Sequence, residues 1–231
     1  MALSGPPRDP LKSRLLRLYV ALAERFGRQR WWPGRTPYEV AVGAILTQHT
    51  AWTNAAAAVR ALRQERLLQP ARLIAVSQEA LAGVIRPAGT YRLKARALLT
   101  FTRWLVARFG GRFASMRREP LGRLRQEMLD ISGLGPETVD SILLYAAHRP
   151  VVVADAYTRR LLGRHRLLPS SATYEQTRQF LEAHLPSDPA LFNEFHALIV
   201  ALGKTYCRTV PLCDSCPLRF DLRGRPPAPR S

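Results

Sequence analysis

Apolar residues recur along this chain at intervals of three and four almost from end to end, the spacing of helices that bury one face. Over residues 11–26 that period collects Leu15, Leu16, Val20, Leu22 and Phe26, predicting a first helix. Thr36-Pro37 predicts the start of a second, with Thr36 as cap and Glu39, three residues on, closing a capping box. Val40, Val42, Ile45 and Leu46 form its apolar face. Further helices are expected over 51–62, 73–85, 94–109, 121–131 and 139–147, then from Asp155, over 174–184 and over 191–204. Val151-Val152-Val153 is the only strand-like run; lacking a second run to pair with, it reads as a buried extended connector. The fold class is therefore all-α. Residues 1–10 and 223–231 lack the period and are expected to be loose.

Between the stretches 121–131 and 139–147 stands Ser132-Gly133-Leu134-Gly135, followed by Pro136. Glycines give a tight turn its unusual backbone angles and let another backbone approach, and proline suits the first position of a new helix. The pattern reads as helix, hairpin, helix, with amides at the second helix start that attract phosphate. A lone Gly-x-Gly is more often a simple helix C-cap, so the charge balance matters here. The chain has 35 Lys plus Arg against 17 Asp plus Glu, a net charge of +18. Only Lys12, Lys94 and Lys204 are lysines, leaving 32 of the 35 as arginine. Compositional arginine bias competes as an explanation. A polyanion partner, most simply nucleic acid, accounts for the excess in a globular composition. At 231 residues the chain can bury one large core or two small ones. No apolar run approaches the ~20 residues of a membrane span, and the polar, proline-broken start does not resemble a secretory signal. Three cysteines near the C-terminus are not a disulfide framework. A cytoplasmic, nucleoid-associated monomer with no membrane contact is expected.

Four motifs in order carry a family resemblance: I-L-T-Q-H-T at 45–50, I-R-P-A-G-T-Y-R-L-K-A at 85–95, I-S-G-L-G-P-E-T-V-D-S-I at 131–142, and Asp155 within V-V-A-D-A-Y-T-R-R-L. Together they resemble the helix-hairpin-helix DNA glycosylase superfamily, in its endonuclease III branch, over residues 31–216. Lyase members of that branch carry a lysine where this chain has Glu137. A carboxylate cannot form an imine, and no lysine lies between Lys94 and Lys204. Glu137, the pair Trp31-Trp32, Trp52 and Lys204 are similar instead to the small 3-methyladenine DNA glycosylases. The resemblance implies a two-domain fold: a six-helix domain over 37–149, a second domain from 1–36 plus 150–231, and a DNA-binding cleft between them. It implies base excision from double-stranded DNA by a monofunctional glycosylase acting on a flipped, 3-methyladenine-like alkylated purine. Two readings compete: an endonuclease III-type glycosylase and AP lyase for oxidised pyrimidines, and a non-catalytic DNA-binding module.

Asp155 is the expected catalytic carboxylate. As cap of the helix that follows, it stays ionised and can stabilise an oxocarbenium-like sugar or orient water. Glu137 is expected to hydrogen-bond the base or accept a proton. Trp31, Trp32 and Trp52 would stack on a cationic purine, with core packing as the competing role. Lys204 is expected to pair with a carboxylate in the base pocket. The amides of Gly133, Leu134 and Gly135 would hold a phosphate, and arginines such as Arg86, Arg92, Arg159 and Arg160 would add salt-dependent affinity. By the resemblance, Gln48 fills the gap a flipped base leaves, and Tyr91 or Leu93 wedges the opposite strand, unless either is core.

Cys207, Cys213 and Cys216 match three of the four ligands by which relatives hold a 4Fe–4S cluster, but Leu222 occupies the fourth place. The alternatives are a lost cluster, a cluster completed by Asp214 or Asp221, or a three-cysteine zinc site.

Overall fold

The computed structural model describes residues 9–228, and among them there is no β-strand. The helices in order are α1 (Pro10–Phe26), α2 (Pro37–Leu46), α3 (Trp52–Gln64), α4 (Pro70–Leu73), α5 (Gln78–Val84), a 3₁₀ turn (Arg86–Ala88), α6 (Tyr91–Phe109), α7 (Phe113–Met116), α8 (Leu121–Leu129), α9 (Pro136–Ser141) running into a π-helical turn (Ile142–Ala146), α10 (Ala156–Arg164), α11 (Tyr174–His184), α12 (Pro189–Thr205) and α13 (Arg219–Leu222). No described helix is long and apolar enough to cross a membrane. The chain divides into two compact units, one of residues 32–149 and one of 1–31 with 150–231.

In the unit of 32–149, α2 is the central element. Every residue from Tyr38 to Leu46 is buried, as α2 packs on α3, α6, α9 and the π turn. Thr36 caps it through Glu39 N–H, but the expected capping box does not close. The buried Glu39 carboxylate is instead paired with Arg63 of α3, because an arginine offers it more than one further backbone amide can. The predicted helix over 73–85 is broken in two. Ser77 accepts a hydrogen bond from Ala80 N–H and starts α5 afresh, with α4 ending at Leu73. Both α4 and α5 pack on α6, whose Phe101 and Leu105 are fully buried.

In the other unit, α1 and α10 pack on α12, and α11 packs on both α1 and α10. The buried stripe of α1 is Leu15, Leu18 and Leu22, while Val20 is 50% exposed. Three and four residues separate this stripe, and Val20 falls outside it. Residues 151–154 run extended and wholly buried into α10, with Val152 N–H donated to Glu182 of α11. Of the expected loose ends, 1–8 and 229–231 lie outside the described residues. The described remainder is tied in: Asp9 caps α1, and Ala228 N–H bonds to Arg164 O at 3.0 Å.

Candidate active site

The hairpin joins α8 to α9, and one buried ion pair fastens the two helices: Arg125 donates both Nε and Nη2 to Asp140. Gly133 has φ +93°, and a Cβ there would lie 2.9 Å from Ala97 Cβ on α6, so the turn needs glycine twice over. Gly135 is different. Its φ is −87°, and a Cβ would meet nothing within 4 Å. The fold leaves this position open, which suits close approach by an external backbone. Leu134 departs from expectation: its side chain is buried and its N–H is donated to Ile131 O. That amide closes the turn and is not available to a phosphate. Among the described residues, the amides of Gly133 and Gly135 have no backbone acceptor.

Gln48, just beyond the end of α2, lies on this hairpin, with Nε2 donated to Gly133 O at 3.1 Å and to Thr138 Oγ1 at 2.7 Å. Glu137 is exposed in the first turn of α9. Leu93 is 61% exposed at the start of α6, so it is no core residue, and Arg92 lies over the half-buried Tyr91 ring.

Trp32 and Trp52 meet edge to face at 5.4 Å, and the Trp32 ring also packs on Tyr145 at 5.3 Å. Tyr145 lies in the π turn after α9, a helical irregularity that recurs at functional sites. Gly43 of α2 admits the Trp32 indole, whose Nε1 would be 3.1 Å from a Cβ there. Trp52 keeps 37% of its surface exposed.

Lys94 of α6 is turned into the fold. Its ammonium is buried and donates to Leu46 O at 2.9 Å and Ala88 O at 2.7 Å, closing the C-terminal end of α2 and of the 3₁₀ turn. Burial lowers its pKa, but its role is that of a structural clamp.

In the other unit, Asp155 caps α10 with Oδ1 accepting from Thr158 N–H at 2.8 Å. Oδ2 lies 3.4 Å from His196 Nε2. Burial would push this carboxyl up; His196 foremost, and then Thr158, outweigh it and hold the group below the usual carboxylate range. The carboxylate is therefore held toward its ionised form although it is buried. Trp31 stands edge-on to the His196 ring at 5.8 Å, and its carbonyl accepts from Asn193 Nδ2 at 2.9 Å. Trp31 thus joins Asp155 and His196, whereas Trp32 belongs to the other unit. His196 is a functional candidate that sequence pattern does not single out; its only signal is a histidine set in the run 195–202 of α12, three after Asn193. Lys204 is exposed in the last turn of α12, about 12 Å along the axis from His196. Arg159 and Arg86 are exposed, whereas Arg160 is directed to Gly203 O and the Tyr157 ring.

The three cysteines line one recess with Arg164, Tyr206 and Leu218. Cys207 Sγ accepts from Arg164 Nη1 at 3.1 Å. Burial pushes the Cys213 thiol up and takes the Cys216 thiol to about 11. Leu222, at the fourth place, is buried and has no donor atom. Asp221 is committed to Arg14 and His165, and the Asp214 side chain is fully exposed. The chain thus offers three thiols and no fourth cysteine to the four-thiolate set that such clusters normally take.

Comparison with known proteins agrees with the hairpin and the motif order. The chain is 42% identical over 207 residues (89% of it and 94% of the relative) to the Methanocaldococcus jannaschii protein described as "Putative DNA repair glycosylase MJ1434". It is 26% identical to a thymine/uracil-DNA glycosylase of Pyrobaculum aerophilum, over 81% of this chain and 80% of that one. Two solved structures share its fold: an endonuclease III trapped covalently on DNA (TM-score 0.76, 22% identity, 90% of this chain, 94% of that one) and the Helicobacter pylori 3-methyladenine DNA glycosylase MagIII (0.71, 24%, 84% and 97%). Residues 42–187 match the HhH-GPD superfamily of base excision DNA repair proteins, and the chain belongs to that family.

Proposed function

We propose that this DNA N-glycosylase is monofunctional, hydrolysing the bond between deoxyribose and a flipped alkylated purine of the 3-methyladenine type. The observation that carries the reading is Asp155, a carboxylate kept anionic while buried. As the C1′–N bond breaks, its electron pair leaves with the base and the sugar gains positive charge. A fixed anion stabilises that charge more in the transition state than in the substrate, which is what accelerates the step. Water then adds to C1′ and gives up a proton, leaving an abasic site. Two features support the absence of a lyase step: Glu137 stands at the place of the lysine, and Lys94 is tied to two carbonyls. The tryptophan faces and the exposed Glu137 support a cationic purine, which is also a good leaving group.

A second reading of the base has an observation in its favour. The relative from Pyrobaculum aerophilum is a thymine/uracil-DNA glycosylase and is similar over most of this chain, so uracil or thymine is the alternative base.

The test is single-turnover excision on duplexes holding an alkylated purine, uracil or mismatched thymine, using wild type and Asp155→Asn. Asparagine caps helices as well as aspartate does, so the variant should fold normally. Its excision rate should fall about 100-fold or more. Undiminished excision by Asp155→Asn would overturn the mechanism. Excision of uracil but not the alkylated purine would select the second substrate.

A further inference from the structure

Four carboxylate side chains are buried among the described residues, those of Glu39, Asp140, Asp155 and Asp221. Glu39, Asp140 and Asp221 are each matched to an arginine, Arg63, Arg125 and Arg14. Asp155 has no arginine or lysine within ion-pair distance among the described residues; the side chain that faces its Oδ2, at 3.4 Å, is the His196 imidazole. The choice matters chemically, because guanidinium keeps its charge at any working pH and imidazole does not.

The surroundings of that imidazole are built rather than incidental. Asn193 and His196, three residues apart, share one face of α12, and both engage Trp31, one through its carbonyl and one through its ring. Seven residues beyond His196, Gly203 lets Tyr157 of α10 seat against the helix: a Cβ there would lie 2.1 Å from Tyr157 Cδ1. The helix capped by Asp155 and the helix carrying His196 are thus held at one spacing. Asp155 is 9% exposed and His196 8%.

We infer that His196 is a positioning residue for base excision, fixing Oδ2 of Asp155 and setting how much of its negative charge acts on the sugar. The inference rests on Asp155 having the role proposed above. The other ionisable groups on the packed elements of this unit are engaged elsewhere or exposed. Arg160 of α10 is directed to Gly203 O, Glu194 of α12 to Gln29 N–H, Glu182 of α11 to Val152 N–H, and Arg14 and Arg25 of α1 to Asp221 and Tyr206. Arg159 and Lys204 are exposed. The imidazole is the largest influence holding the Asp155 carboxyl down, so its loss lets burial raise that carboxyl.

The experiment measures single-turnover excision against pH, together with DNA affinity, for wild type, His196→Gln, His196→Phe and Asp155→Asn. Phenylalanine keeps the edge contact with Trp31 and removes both nitrogens. Both His196 variants should lose roughly 10- to 100-fold in rate at neutral pH with DNA affinity unchanged. The acid limb of the rate profile should move to higher pH. A merely structural histidine would change melting temperature and leave that limb where it was. Wild-type rate and acid limb in both folded His196 variants, beside an inactive Asp155→Asn, would overturn the inference alone. An active Asp155→Asn would overturn it together with the functional reading.

Discussion

The two hairpin glycines make opposite predictions, because the fold requires one and leaves the other open. Alanine at Gly133 would have to hold φ +93° and place its Cβ 2.9 Å from that of Ala97. Positive φ costs a residue with a Cβ about 1–2 kcal/mol, and crowding a packed site costs about 1–3 kcal/mol more. Gly133→Ala should therefore lose roughly 2–5 kcal/mol, a fall in Tm of about 4–20 °C for a chain of this length. Alanine at Gly135 meets no atom within 4 Å and keeps an extended φ of −87°. Its Tm should hold or rise slightly, since alanine narrows the unfolded ensemble. A phosphate at the Gly135 amide would, however, collide with the new methyl group. Losing a hydrogen bond to a charged group weakens binding by about 1.5–3 kcal/mol, roughly 10- to 100-fold in Kd. Thermal melting and fluorescence anisotropy on a labelled duplex at fixed salt separate the two effects. A folded Gly135→Ala that binds DNA as tightly as wild type would refute the assignment of this turn to phosphate.

Two further predictions follow from buried charge. Lys94→Met strands two carbonyls and should cost about 3 kcal/mol, yet excision per folded molecule should stay within about twofold of wild type; borohydride on abasic DNA should trap no adduct with either protein, and a trapped adduct would restore the lyase reading. Asp221 accepts two hydrogen bonds from Arg14 and lies 2.7 Å from His165 Nδ1; burial would raise its carboxyl, but Arg14 and then His165 hold it far below the usual range. Its contribution to stability is thus complete above the unfolded value of about 4 and lost as pH falls below that, so acid melts of wild type should show a decline that Asp221→Asn, already weaker by about 3–5 kcal/mol at neutral pH, does not share.

Much of the architecture was legible because helical period survives in a sequence. The limits of α11, the extended run at 151–154 and the cap at Asp155 all rest on local rules. Contacts between segments distant in sequence were not legible. Nothing near Glu39 says that Arg63, 24 residues on, will take its carboxylate. Nothing beside Lys94 says that its amine will be spent on two carbonyl acceptors, 48 and 6 residues away. The amide of Leu134 was counted toward phosphate, although a tight turn uses that N–H to close itself. Nor does period reveal the π turn, because all five of its residues, Ile142–Ala146, are buried and leave no polar face to mark the phase. His196 was hidden for a related reason: a histidine in an apolar helix gains meaning only from the residue opposite it.

The same distinction bears on the net charge of +18, the broadest hint of a polyanion. Many of the arginines behind that number are engaged inside the fold. Arg125, Arg63 and Arg14 are paired with carboxylates, Arg149 bonds to the carbonyls of Met116 and Arg117, and Arg164 holds Cys207 and the carbonyls of Arg208 and Thr209. Each stabilises its unit and releases few counterions when DNA binds. Salt-dependent grip must come from the exposed remainder, such as Arg86 and Arg92 beside Leu93, and Arg159 on the helix that Asp155 caps. The charge total therefore overstates the contact with DNA. Its evidential weight lies in where exposed arginines stand: Arg92 next to the exposed Leu93, and Arg159 one turn along the helix that Asp155 caps.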